Sequence, residues 1–131
     1  EYDYYTTTKG ILEKAKAHAG DVDFEVQPEL LSLLSNRDFG RYADEKGEMN
    51  VCFISNNDIT GGNSGSAMFN AKGELFGLAF DGNWEAMSSD ILYEPKMQRC
   101  IGVDVRYILF MIEKYGKAGN LIRELKIASG K

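Results

Sequence analysis

Apolar and polar positions alternate in short runs along most of this chain, and only the last third settles into a helical period. Tyr4–Leu12 is rich in aromatic and β-branched residues, a composition that predicts one strand or two. Asp21-Val22-Asp23-Phe24-Glu25-Val26 alternates polar with apolar, the pattern of a half-buried strand. Pro28 is well placed to open a short helix over Glu29–Leu34. Asn36–Asn50, interrupted by Gly40 and Gly47, reads as a polar loop.

The second half is more regular. Val51–Ser55 is a predicted strand, followed by a loop over Asn56–Ser64. Ser66–Phe69 and Glu74–Phe80 are predicted strands joined by a hairpin turn at Asn70-Ala71-Lys72-Gly73. A polar loop over Asp81–Asp90 carries the single tryptophan, and Gln98–Val103 is a further strand. The clearest helix runs Asp104–Tyr115, with Asp104 as N-cap and Gly116 as stop. Val105, Ile108, Leu109, Met111 and Ile112 make its buried face, and a shorter helix follows over Ala118–Leu125. Short strands ending in helices predict one mainly β domain over 1–131, a small β-barrel with C-terminal helices at 104–125.

Composition narrows the function classes. With 131 residues, 44% hydrophobic and 27% charged, the chain has the content of one globular domain with a core. A net charge of −5 and scattered lysines and arginines exclude a nucleic-acid surface. No apolar run reaches membrane-spanning length, so no membrane partner is expected. Glu1-Tyr2-Asp3-Tyr4-Tyr5 is neither a signal peptide nor a start with Met, so a processed product or a fragment is expected. Cys52 and Cys100 each sit in an apolar run; two buried free thiols and one disulfide are both open readings. Asp21, Asp23 and Glu25 lack a calcium-loop pattern, so no metal and no cofactor are expected.

The candidate chemistry sits at Gly61-Gly62-Asn63-Ser64-Gly65-Ser66. A nucleophilic serine must stand exposed on a tight turn while nearby backbone N–H groups face a developing oxyanion. Gly62 and Ser64 supply two such N–H groups, and Gly65 lets the chain turn behind Ser64. A plain turn, or an anion-binding nest, uses the same residue types. No lysine follows in the phosphate-loop position, which excludes a nucleotide site. Ser66 falls on the other side of the turn and reads as structural. A serine hydroxyl also needs a base, and the one histidine, His18, lies in a hydrophilic turn, where it reads as a surface residue.

Longer segments are more specific. Asn57-Asp58-Ile59-Thr60-Gly61-Gly62-Asn63-Ser64-Gly65-Ser66, Phe80-Asp81-Gly82-Asn83-Trp84-Glu85-Ala86-Met87 and Val103-Asp104-Val105-Arg106-Tyr107 resemble the bacterial dipeptidyl-peptidase 7 and 11 family. The likeness runs from about Asp38 to the final helix. It implies a chymotrypsin-like six-stranded β-barrel, the second of two, with the first barrel and an inserted helical domain absent from this chain. It implies Ser64 as nucleophile, Gly62 and Ser64 as oxyanion hole, and Phe80, Asp81 and Gly82 as substrate-binding residues. The catalytic histidine and aspartate would lie in the absent part, leaving the isolated chain inactive. Asp81 would bind the ammonium of a peptide with a free N-terminus. Gly82 stands where acid-preferring members have an arginine, which implies an apolar or broad preference at the second residue. Asn63 occupies the place where trypsin has an aspartate that pairs with a new N-terminus, a bond an asparagine cannot form. Ala67 departs from the proline usual in relatives. Trp84 is a pocket-loop or anchoring aromatic, and Glu85 and Asp90 read as solvated acids. The resemblance further implies a periplasmic or secreted parent and leaves a homodimer open. A glutamyl-type endopeptidase fragment and a non-catalytic binding barrel are the rival readings.

Overall fold

In the computed structural model, residues 3–88, 91–92 and 94–128 are described. Strand β1 (Tyr5–Thr7) runs into helix α1 (Thr8–Ala17), and a 3-10 turn at Val22–Phe24 precedes α2 (Pro28–Ser35). After a second 3-10 turn at Gly40–Tyr42 come β2 (Asn50–Ser55), β3 (Ala67–Phe69) and β4 (Leu75–Gly82). A third such turn, Trp84–Ser88, leads to β5 (Cys100–Asp104), α3 (Val105–Phe110), a π-helical turn at Met111–Tyr115 and α4 (Gly119–Glu124).

The strands form one sheet in the order β1-β2-β5-β4-β3, with β2–β5, β5–β4 and β4–β3 antiparallel. This is the expected mainly β architecture with C-terminal helices, but not a closed six-stranded barrel. Among the described residues the sheet has five strands and stays open, with β1 and β3 at its edges. Of the two strands expected in the first part of the chain, one is cut short at β1 and the other is not a strand. The β-branched threonine run ends at Thr8, and the good helix formers Leu12–Ala17 carry α1, which takes in the rest of Tyr4–Leu12. The alternation at Asp21–Val26 folds locally, because the Phe24 N–H donates to Asp21 O at 3.1 Å to close a 3-10 turn. The Asp21 carboxylate caps that turn by accepting from the Asp23 N–H at 3.1 Å.

The described residues divide into two compact units. One takes those of 1–6 and 51–105, and the other those of 7–50 and 106–131. The second unit, largely helical, buries Leu34, Phe39, Tyr42, Met49 and Phe110, with Ile11, Leu30, Leu33 and Tyr107 packed around them. Three of these core residues lie in the segment expected to be a polar loop. Phe39 and Phe110 meet edge to face, centroids 6.0 Å apart.

The sheet unit has a smaller core of Met68, Ala79 and Cys100, covered by Phe53, Ile59 and Phe76. Phe53 lies over two glycines: a Cβ on Gly102 would come within 2.7 Å of its ring, and one on Gly77 within 2.6 Å. The hairpin is built as expected. Asn70 Oδ1 accepts from the Lys72 and Glu74 N–H groups at 2.9 and 3.0 Å, and Gly73 takes a φ of 75°. The helix expected over Asp104–Tyr115 is α only to Phe110. Its final turn widens, with the Gly116 N–H donating to Met111 O at 2.7 Å.

Candidate active site

Two consecutive turns build the serine loop. The Asn63 N–H donates to Thr60 O at 3.2 Å, and the Ser66 N–H donates to Asn63 O at 2.9 Å. Asn63 holds the first turn with its side chain, its Oδ1 accepting from the Thr60 N–H (2.9 Å) and Thr60 Oγ1 (3.2 Å). Gly62 at φ 94° and Gly65 at φ 87° occupy the left-handed region, so the two glycines are required by the backbone here. The Gly65 N–H donates to Ala79 O (2.7 Å) and the Ala79 N–H to Ser66 O (2.9 Å), which ties the far side of the loop to β4.

That tie leaves Ser64 exposed at the tip. Its hydroxyl donates to the Phe80 carbonyl at 3.3 Å. Among the described residues, the N–H groups of Gly62 and Ser64 donate to no other group of the protein. Two unspent backbone donors therefore flank an exposed hydroxyl, as an oxyanion site requires.

Phe80 is itself displaced by a bulge. Ala79 pairs with Gly102 and Asp81 with Ile101, so Phe80 is an extra residue in β4. Bulges re-aim side chains beside sites. Here the bulge brings the Phe80 carbonyl to Ser64 and sets Phe80 and Asp81 at the rim, both exposed. The Asp81 carboxylate accepts from the Gly82 N–H at 2.8 Å. Ser64, Phe80, Asp81 and Gly82 thus share the wall of one cleft of about 250 Å³.

Thr60, Ile59, Asn83, Ala86 and Met87 also line the cleft and were not singled out as binding residues by sequence reasoning. No lysine or arginine is among its lining residues. Asn83 is a clamp: its Nδ2 donates to Glu85 Oε2 and to Met97 O, both at 2.8 Å, and its Oδ1 accepts from the Arg99 N–H at 2.8 Å. An asparagine directly before a short turn is the only local signal for this role. Trp84 is 81% exposed, so it does not anchor its loop in the core.

The remaining sequence candidates lie elsewhere. His18 is exposed in the helical unit, at the end of α1, and stacks on Phe24 with centroids 4.1 Å apart. Cys52 and Cys100 are free thiols. Register settles the choice left open above: Cys52 pairs with Val103, while Cys100 pairs with Ser55. Burial pushes both thiols up, which keeps them protonated and unreactive. Among the described residues no cluster of His, Cys, Asp or Glu could hold a metal ion, and no helix is long and apolar enough to cross a membrane.

An open antiparallel sheet whose bulged strand lies beside a glycine-rich turn defines the class: a β-sheet module with an exposed serine at the edge of a cleft. Known proteins place it more closely. The Peptidase S46 family model matches residues 1–127, and the chain belongs to that family. It is 57% identical over 129 residues to dipeptidyl-peptidase 7 of Porphyromonas endodontalis, covering 98% of this chain and 15% of that protein. With dipeptidyl-peptidase 7 of Porphyromonas gingivalis the identity is 56% over 126 residues, 96% of this chain and 17% of the relative. The crystal structure of P. endodontalis DPP11 in complex with the dipeptide Arg-Asp matches with a TM-score of 0.90 at 42% identity. That match covers 95% of this chain and 18% of the solved one. The chain therefore spans about a sixth of the length of these relatives.

Proposed function

We propose that this chain is the nucleophile-bearing part of a serine-type dipeptidyl peptidase, in a longer protein that is periplasmic or secreted. The observation that carries the reading is the exposed Ser64 hydroxyl flanked by the unspent N–H groups of Gly62 and Ser64. In this reading Ser64 Oγ leaves the Phe80 carbonyl and attacks the peptide carbonyl after the second residue. A histidine from the rest of the protein takes its proton and passes it to the leaving amine. Gly62 and Ser64 N–H groups hold the oxyanion, and water then hydrolyses the acyl-serine ester to free the dipeptide and restore the hydroxyl.

Asp81, a carboxylate at the cleft rim, suits the ammonium of a free peptide N-terminus. The wall at Gly82 is uncharged and the lining residues include no cation, which favours apolar second residues over acidic ones. The first barrel, with its catalytic histidine and aspartate, would close the site around this sheet, so the chain alone should turn over no substrate. The test is Ser64→Ala in the full-length protein. Dipeptide release from peptides with free N-termini should fall by roughly 10⁴-fold or more. Unchanged release, or equal cleavage of N-terminally blocked peptides, would remove the reading in favour of an endopeptidase or a binding module.

A further inference from the structure

Two of the smallest residues in the chain, Gly82 and Ala86, lie side by side in the cleft wall. A Cβ placed on Gly82 would lie 2.8 Å from the Ala86 Cβ and 3.5 Å from Ile59 Cγ2. Carbon atoms pack at about 3.5–4.0 Å, so Gly82 has no room for a methyl group while Ala86 keeps its place.

Ala86 is held in that place. Its N–H donates to Asn83 O at 2.9 Å, closing the turn on which it rides. The Asn83 side chain bonds Glu85, Met97 and Arg99, and the Asn83 N–H donates to Arg99 O at 2.9 Å. The turn is therefore pinned to the chain entering β5. Of the lining residues on this turn, Met87 is 73% exposed, whereas Ala86 is half-buried against the cleft. A cavity of about 150 Å³ is enough to hold a benzene ring, so the 250 Å³ here has room for a large side chain only while position 86 stays small.

We propose that Ala86 is a specificity-determining residue. With Gly82 it sets the depth of the cleft, and so the largest side chain that the second residue of a peptide can place there. The inference rests on the proposed dipeptide release, and it predicts a coupling that the release alone does not. In the full-length protein, kcat/KM is measured on free-N-terminus substrates whose second residue is Ala, Leu or Phe. Ala86→Leu should lower the Phe-to-Ala ratio of kcat/KM by about tenfold or more, since one methylene in an apolar pocket is worth roughly 10- to 200-fold. Gly82→Ala should lower kcat/KM for every substrate, and adding Ala86→Gly to it should recover most of that loss. The double variant decides the matter if Ala86→Leu fails to fold. Equal effects of Ala86→Leu on all three substrates, or a double variant no better than Gly82→Ala, would overturn the role of Ala86 while leaving Ser64-dependent release intact. Release that does not depend on Ser64 would overturn both.

Discussion

The helical unit holds itself with large side chains that solvent does not reach, whereas the sheet unit holds itself with backbone hydrogen bonds and glycines. In the first, Leu34, Met49 and Phe110 are fully buried and the surface is laced by Arg37–Glu48 (2.9 Å) and Lys114–Asp38 (2.9 Å). In the second, the buried hydrophobic cluster is only Met68, Ala79 and Cys100, while Phe69, Phe80, Trp84, Met87 and Ile91 are exposed. The proposed chemistry, built from N–H groups and a hydroxyl, would gain little from a thick core. It would gain from turns whose φ values and hydrogen bonds allow one arrangement, and Gly62, Asn63 and Gly65 form such turns.

The widest separation between the units should come from Phe110→Ala. Removing a fully buried phenylalanine costs about 3–5 kcal/mol. Hydrogen exchange of the full-length protein should then speed up at amides of 7–50 and 106–128 more than in the sheet. Equal acceleration in both would mean that they open as one, and the contrast would fail. In the sheet, Gly102→Ala should cost less, about 1–3 kcal/mol, because its Cβ would overlap Phe53 Cζ (2.7 Å) and Met68 Sδ (2.8 Å). A neutral result in urea denaturation would mean that the sheet core is loose enough to absorb a methyl group.

What sequence alone conveyed follows the same division. The serine turn, the Asn70–Gly73 hairpin and the strands around them were legible because glycine and asparagine at fixed offsets signal turns, and short apolar runs between turns signal strands. The helical unit was read poorly for the converse reason. Phe39, Tyr42 and Met49 sit among polar neighbours with no period, and only tertiary packing reveals them as core. A mixed aromatic and β-branched start hid α1, and six alternating residues were too few to distinguish a strand from a 3-10 turn. In the cleft, the bulge at Phe80 was invisible, because an extra residue in a strand appears only against the register of its partner. Ala86 was missed because a small residue in a polar loop carries no pattern until Gly82 is seen to touch it.

The smallest effect expected, and the one that most sharpens the contrast, lies at Tyr42. Its ring is buried, and its hydroxyl donates to the Glu113 carboxylate on the π-helical turn, with Arg41 3.3 Å from the same carboxylate. The Tyr42 hydrogen bond, with the Arg41 charge beside it, holds Glu113 below its usual carboxylate range. Burial first, and then the bond to Glu113, pushes the Tyr42 phenol up. A carboxylate depressed on folding contributes stability above about pH 4.3 that is lost as pH falls through its folded value, and a raised phenol contributes stability below about pH 10 that is lost as it ionises. Removing the buried Tyr42 hydroxyl as Tyr42→Phe should cost about 1 kcal/mol near neutral pH, the net worth of an ordinary intramolecular hydrogen bond. The gap between wild type and variant should narrow as pH is lowered from about 7 toward 3, because protonation removes the charge that the phenol stabilises. Urea denaturation across that range reads the gap directly. A gap that stays constant to the acid end would show that the phenol positions the turn without stabilising the carboxylate charge.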